Sequence, residues 1–96
     1  MTKALRFISV SHKNASVTQR EKFYVPEEDK HRLVSYLSEF SNDIAGLLLL
    51  VTCNRTEVYF ESTTTSAGEI RDAFIRFQKL HPQVHQGLFV VSDTTQ

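Results

Sequence analysis

One thiol and its flanking residues carry the sharpest chemistry in this sequence. Cys53 is the only cysteine among 96 residues, and it stands in the run Leu47-Leu48-Leu49-Leu50-Val51-Thr52-Cys53-Asn54-Arg55-Thr56-Glu57-Val58-Tyr59. Five apolar residues lead into a short polar corner, after which polar and apolar positions alternate. That pattern reads as a buried strand, a turn, and a second strand with one wetter face. A thiol at such a corner, beside an arginine and several polar donors, has surroundings that favour the thiolate, which is the nucleophilic form. A lone cysteine is also commonly just a small buried hydrophobe, so residue types alone leave both readings open.

The remaining elements must hold that corner. Residues 5–10 read as a first strand, with Leu5 and Phe7 on one face and Arg6 and Ile8 on the other. A polar stretch follows, and residues 17–23 suit a short helical turn. Pro26 fits a first helical position, and Glu27, Glu28 and Asp29 suit the positive end of a helix dipole. Leu33, Tyr36, Leu37 and Phe40 recur at helical spacing and predict a helix over 26–40, broken by Ser41-Asn42-Asp43. The continuous apolar run 47–51 predicts a central strand covered by helices on at least one side. Val58 and Phe60 then alternate with Glu57, Tyr59 and Glu61, and the polar run 62–66 reads as a loop without functional content. Ile70, Ala73, Phe74, Phe77 and Leu80 predict a second helix over 67–80, ended by His81-Pro82, and 88–91 form a last strand. Strand, helix, strand, strand, helix, strand is an α+β order. Two right-handed crossovers about a central hairpin give a four-stranded antiparallel sheet with both helices on one face, the ferredoxin-like arrangement. Cys53 falls at its hairpin.

Composition narrows the function classes. Eleven basic and eleven acidic residues give a net charge of zero, without the basic excess that general nucleic-acid binding needs. Apolar content of 41% is ordinary for a folded domain, and a chain of this length buries roughly 60–65% of its unfolded surface in one modest core. A single cysteine excludes an internal disulfide and suits a reducing, cytoplasmic setting. No signal peptide precedes the first strand, and the apolar run is too short to span a bilayer, so no membrane partner is expected. His31 falls on the outer side of the first helix. His81 and His85 are four apart, but Pro82 breaks the helix that would align them, and no third metal ligand accompanies them.

The segment Thr52-Cys53-Asn54-Arg55-Thr56-Glu57-Val58-Tyr59 closely resembles the active-site signature of glutamyl-tRNA reductase. Upstream, Ser11-His12-Lys13-Asn14-Ala15-Ser16-Val17, followed by Arg20-Glu21-Lys22-Phe23, is similar to that family's His-Lys-x-Ala pattern and the Arg-Glu pair before Phe. The two stretches occur in the family's order and at about its spacing, which makes the match specific. The resemblance implies an amino-terminal catalytic domain over 1–96, with the NADPH-binding and dimerisation domains lying elsewhere. It implies NADPH-dependent reduction of glutamyl-tRNA(Glu) to glutamate-1-semialdehyde through a cysteine thioester, the entry to tetrapyrrole and porphyrin synthesis. Cys53 would be the nucleophile, and Thr52, Asn54 and Arg55 would line the glutamyl pocket. Arg55 has the planar fork that suits a carboxylate, the alternative being a solvated hairpin arginine. Thr52 and Asn54 offer donors to the substrate or a developing oxyanion, though Asn54 also suits turn backbone.

Further partners implied are glutamate-1-semialdehyde aminomutase as a channelling enzyme and a second copy of the full reductase. His12 reads as a hydrogen-bonded anchor, and Arg20 with Glu21 as an ion pair or cap. Ser9 stands where the family usually has glycine, and Val51 where it often has serine or glutamine. Two readings compete. One is a ferredoxin-like ligand- or RNA-binding module with a structural cysteine, in which Phe7 and Tyr59 would stack on bases. The other is an interaction domain that pairs through an exposed strand edge. The family's histidine after the last strand and its glycine-rich nucleotide loop do not occur in these residues. The 96-residue chain alone is therefore expected to yield no semialdehyde from charged tRNA and NADPH, and detecting that product would refute the expectation.

Overall fold

The computed structural model describes residues 3–11, 22–52, 54–81 and 86–93. Cys53, His12, Arg20, Glu21 and His85 lie outside the described residues, as does most of the helical turn expected over 17–23. The elements are β1 (Ala4–Ser11), α1 (Glu27–Ser38), β2 (Ala45–Val51), β3 (Arg55–Ser62), α2 (Ala67–Phe77) and β4 (Phe89–Ser92), the last entered through a 3-10 turn at Gln86–Leu88. The four strands form one sheet in the order β2-β3-β1-β4, with every pairing antiparallel. Order and connectivity are those of the expected ferredoxin-like α+β fold.

Burial follows the strand period of two. Along β3, Thr56, Val58, Phe60 and Ser62 are buried, while the intervening residues are more open. Ile8 and Val10 of β1 join Val58 and Phe60 on one face. Leu33 and Leu37 of α1 and Ile70, Ala73 and Phe74 of α2 complete the core against them. Phe89 packs edge-on against Phe23 and Phe74, with ring centroids 5.6 and 5.7 Å away, a favourable aromatic geometry. Each fully buried side chain of this size contributes about 1.5–3 kcal/mol of transfer free energy.

The apolar run 47–51 is not a central strand. It belongs to β2 at the sheet edge, where Leu47, Leu49 and Val51 pack on the core while Leu48 and Leu50 are 55% and 43% exposed. An unbroken apolar run suits a strand covered on both faces, but it suits equally a strand whose second apolar row lies open, and the pattern does not separate the two. Gly46, at φ +63°, occupies a bulge where β2 gains one residue on β3 between Ala45 and Leu47, a conformation glycine adopts without strain.

Both helices are shorter than their apolar periodicity suggests. In α1, Leu33 and Leu37 are buried, whereas Tyr36 and Phe40 are exposed and Phe40 lies beyond the helix end. The first turn of α2 is closed by a capping box, in which the Glu69 N–H donates to Ser66 Oγ (3.2 Å) and the Ser66 N–H to Glu69 Oε2 (2.7 Å). Its end comes at Phe77, three residues short of 80. Lys79 takes the left-handed conformation (φ 56°), the Lys79 N–H donates to the Arg76 carbonyl, and the Leu80 N–H donates to the Ile75 carbonyl at 2.9 Å. That Schellman arrangement, with lysine where glycine is usual, stops the helix well before Pro82.

The loop after β3 has content that the sequence hid. Backbone N–H groups of Thr63, Thr64 and Thr65 converge on the Asp43 carboxylate at 2.9, 2.7 and 2.7 Å. These bonds to the charged form hold the Asp43 carboxyl well below the usual carboxylate range. A depressed carboxyl adds stability that is present above the unfolded value and is lost as pH falls through the folded one. Unfolding midpoints are expected to drop below about pH 4, and Asp43→Asn is expected to be less stable near neutrality with a shallower acid limb. An unchanged acid limb in that variant would remove Asp43 from this role.

Candidate active site at the β2–β3 corner

Residues 52–55 close the hairpin, and Thr52 holds it shut. The Thr52 N–H donates to the Arg55 carbonyl at 2.8 Å. Thr52 Oγ1 in turn accepts the Asn54 N–H (3.2 Å) and the Arg55 N–H (3.0 Å), the local bonding that makes threonine a turn residue. Just beyond, the buried Thr56 hydroxyl donates to the Phe23 carbonyl at 3.0 Å and ties the start of β3 to the segment before α1. Thr52, Asn54 and Arg55 are thus brought together in one exposed turn. The described role of the Thr52 oxygen is to hold that turn, and Asn54 contributes its backbone N–H to the same end.

From this corner the open face of the sheet carries a polar row. Registers Ser11↔Arg55, Ser9↔Glu57 and Phe7↔Tyr59 align β1 with β3, and Leu50↔Glu57 and Leu48↔Tyr59 align β2 with β3. The Glu57 carboxylate is the hub. Ser9 Oγ donates to its Oε2 at 2.9 Å, the Tyr59 hydroxyl reaches Oε1 at 3.4 Å, and the Arg55 guanidinium lies 3.6 Å from Oε2. Glu57 is largely covered, at 16% side-chain exposure, whereas Arg55 is 56% exposed. Burial, and then the neighbouring Glu57 charge, raise the Tyr59 phenol above its ordinary value, so it stays a donor across the physiological range. Phe7 stacks on Tyr59 with centroids 5.5 Å apart, so these two aromatics are packed on each other.

Chemically, the arrangement offers a half-exposed guanidinium with one side leaning on a largely covered carboxylate. An open guanidinium edge suits a second carboxylate in a bidentate geometry. The sequence reading placed Arg55 at the corner but missed Glu57. Strand alternation does put Arg55, Glu57 and Tyr59 on one face; the cross-strand donor Ser9 is invisible without the register.

The two described helix starts offer no seat for the phosphates of NADPH. The first N–H groups of α2 are engaged by Asp93 and Ser66, and α1 begins with three acidic residues, so neither helix start suits a pyrophosphate. Among the described residues no group of three His, Cys, Asp or Glu side chains could hold a metal ion, and no helix is long and apolar enough to cross a membrane.

Removing the Thr52 hydroxyl while keeping its shape isolates the turn bonds. Thr52→Val is expected to lose about 1 kcal/mol in urea denaturation, and Thr52→Ser to lose less than about half of that. A valine variant as stable as its parent would show that the hydroxyl does not hold the corner.

Comparison with known proteins places the chain in a family. A profile described as "Glutamyl-tRNAGlu reductase, N-terminal domain" matches residues 8–96. A glutamyl-tRNA reductase of Thermosynechococcus vestitus is 33% identical over 87 residues, covering 88% of this chain and 20% of the relative. One from Thermomicrobium roseum is 40% identical over 60 residues, covering 62% of this chain and 14% of the relative. One from Campylobacter lari is 42% identical over 52 residues, covering 54% and 12%. The chain thus spans a fifth or less of the length of these relatives. It belongs to the glutamyl-tRNA reductase N-terminal domain family.

Proposed function

We propose that this chain is the catalytic domain of a glutamyl-tRNA reductase, supplying the nucleophile and the glutamyl pocket for the reduction of glutamyl-tRNA(Glu) to glutamate-1-semialdehyde, the first step of tetrapyrrole synthesis. Cys53 attacks the aminoacyl ester as thiolate. A carbon–sulfur bond forms, the ester carbon–oxygen bond breaks, and the freed tRNA hydroxyl takes up a proton. The thioester accepts hydride more readily than the ester because sulfur donates less electron density into the carbonyl. Arg55 holds a carboxylate of the glutamyl group, Asn54 donates to the substrate from its side chain, and Thr52 shapes the turn that carries all three.

The observation that supports this reading best is the Arg55 guanidinium, half-exposed and braced by Glu57 at 3.6 Å, on a residue two positions after Cys53 in the sequence. On this reading NADPH, the homodimer contact and the aminomutase contact belong to chain beyond these residues, and the protein works in the cytoplasm. The test uses the full-length protein with glutamyl-labelled tRNA and no NADPH. Label is expected to transfer covalently to the parent and not to Cys53→Ser; in a separate assay with NADPH, Arg55→Ala is expected to lower kcat/KM about a hundredfold. Absence of label on the parent would overturn the thioester route.

A further inference from the structure

An arginine that grips a small substrate works only if its fork is already aimed, since every rotamer it samples when free must be given up on binding. Arg55 is 56% exposed and stands at a turn, where a long side chain would ordinarily swing. Its one described ion-pair partner is Glu57, and that carboxylate is tightly placed. Ser9 donates to it from β1, Tyr59 from its own strand, and Leu50 flanks it from β2.

We infer that Glu57 is a positioning residue for Arg55: fixed by Ser9 and Tyr59, its carboxylate holds one edge of the guanidinium against the sheet and leaves the outer edge aimed at the substrate carboxylate. The inference rests on the glutamyl-gripping role proposed for Arg55. A pair at 3.6 Å with its guanidinium half in solvent adds little to folding stability, so the convergence of two hydroxyl donors and one guanidinium, from two strands, on one carboxylate has its main consequence in orientation. With both oxygens engaged, Glu57 is poorly set to take a proton from the substrate itself.

Steady-state kinetics of the full-length protein with glutamyl-tRNA test this, with thermal midpoints recorded in parallel. Glu57→Gln is expected to raise KM about tenfold while kcat stays within about twofold, and Glu57→Asp is expected to recover part of the loss. Ser9→Ala is expected to raise KM about threefold by loosening the hub. In an Arg55→Ala background, Glu57→Gln is expected to add nothing, because a residue acting through Arg55 has nothing left to act on. If Arg55→Ala leaves KM unaltered, the gripping role fails, and this inference fails with it. If Arg55→Ala raises KM but Glu57→Gln does not, or if the two effects multiply in the double variant, Glu57 is no positioning residue while the role of Arg55 stands. Should Glu57→Gln not fold, Ser9→Ala carries the decision, and an unchanged KM there overturns the inference.

Discussion

Strand β3 has a side-chain period of two, is paired on both edges, and therefore fixes the core and the candidate site in a single choice of register. Its even-numbered residues, Thr56, Val58, Phe60 and Ser62, are buried beneath the helices, and its odd-numbered residues, Arg55, Glu57, Tyr59 and Glu61, form the row on the other face. A slip of one residue would drive Glu57 and Tyr59 into the core and expel Val58 and Phe60. The hydrophobic core thus enforces the placement of the polar row, and no separate device is needed to keep Arg55 and Glu57 on the same side.

Both ends of β3 are pinned by side-chain bonds to the backbone, which keeps that register from fraying. At its start the Thr52 hydroxyl organises the turn and the Thr56 hydroxyl reaches the Phe23 carbonyl. At its end Arg6 bonds Ser62 Oγ (2.7 Å) and the Thr63 carbonyl (2.8 Å), and it meets Asp93, which also accepts the Ala67 N–H at the start of α2. Asp43 gathers the next three N–H groups of the loop. Loops are the mobile parts of most folds. Here described residues at both ends of β3 are tied down by polar side chains, from the exposed Thr52 to the buried Thr56, so the strand presents its open face on a braced support.

The sequence carried the element order and the ferredoxin-like topology because each element announced its own period and its own stop. It misplaced β2 because Leu47 to Val51 looks the same whether its second face is covered or open. It overextended both helices for a related reason: Phe40 and Leu80 sit at helical spacing yet lie past the helix ends, where a left-handed Lys79 breaks the second helix with no glycine to signal it. The local motif made Thr52, Asn54 and Arg55 legible as a group. Glu57 was legible only as part of an alternating strand, since its meaning comes from Ser9, 48 residues away in the chain. Asp43 was similarly hidden, because a carboxylate wrapped by a distant loop reads in sequence as a mere helix breaker.

On the proposed reading, the placement of charge matters more than its net amount. Gripping a phosphate backbone needs a broad cationic field, and the equal counts of acidic and basic residues argue against one here. Holding the end of a single amino acid needs one or two charges in fixed places. Leu48, Leu50 and Val90 are exposed on the strands that flank the polar row, so no other charge competes with Glu57 from those three positions. On that reading, a guanidinium at the sheet's corner, steadied by one carboxylate, would discriminate by position where a basic surface would discriminate by charge density. On the proposed reading, this domain would identify the amino acid and leave the nucleic acid to be held by residues beyond it.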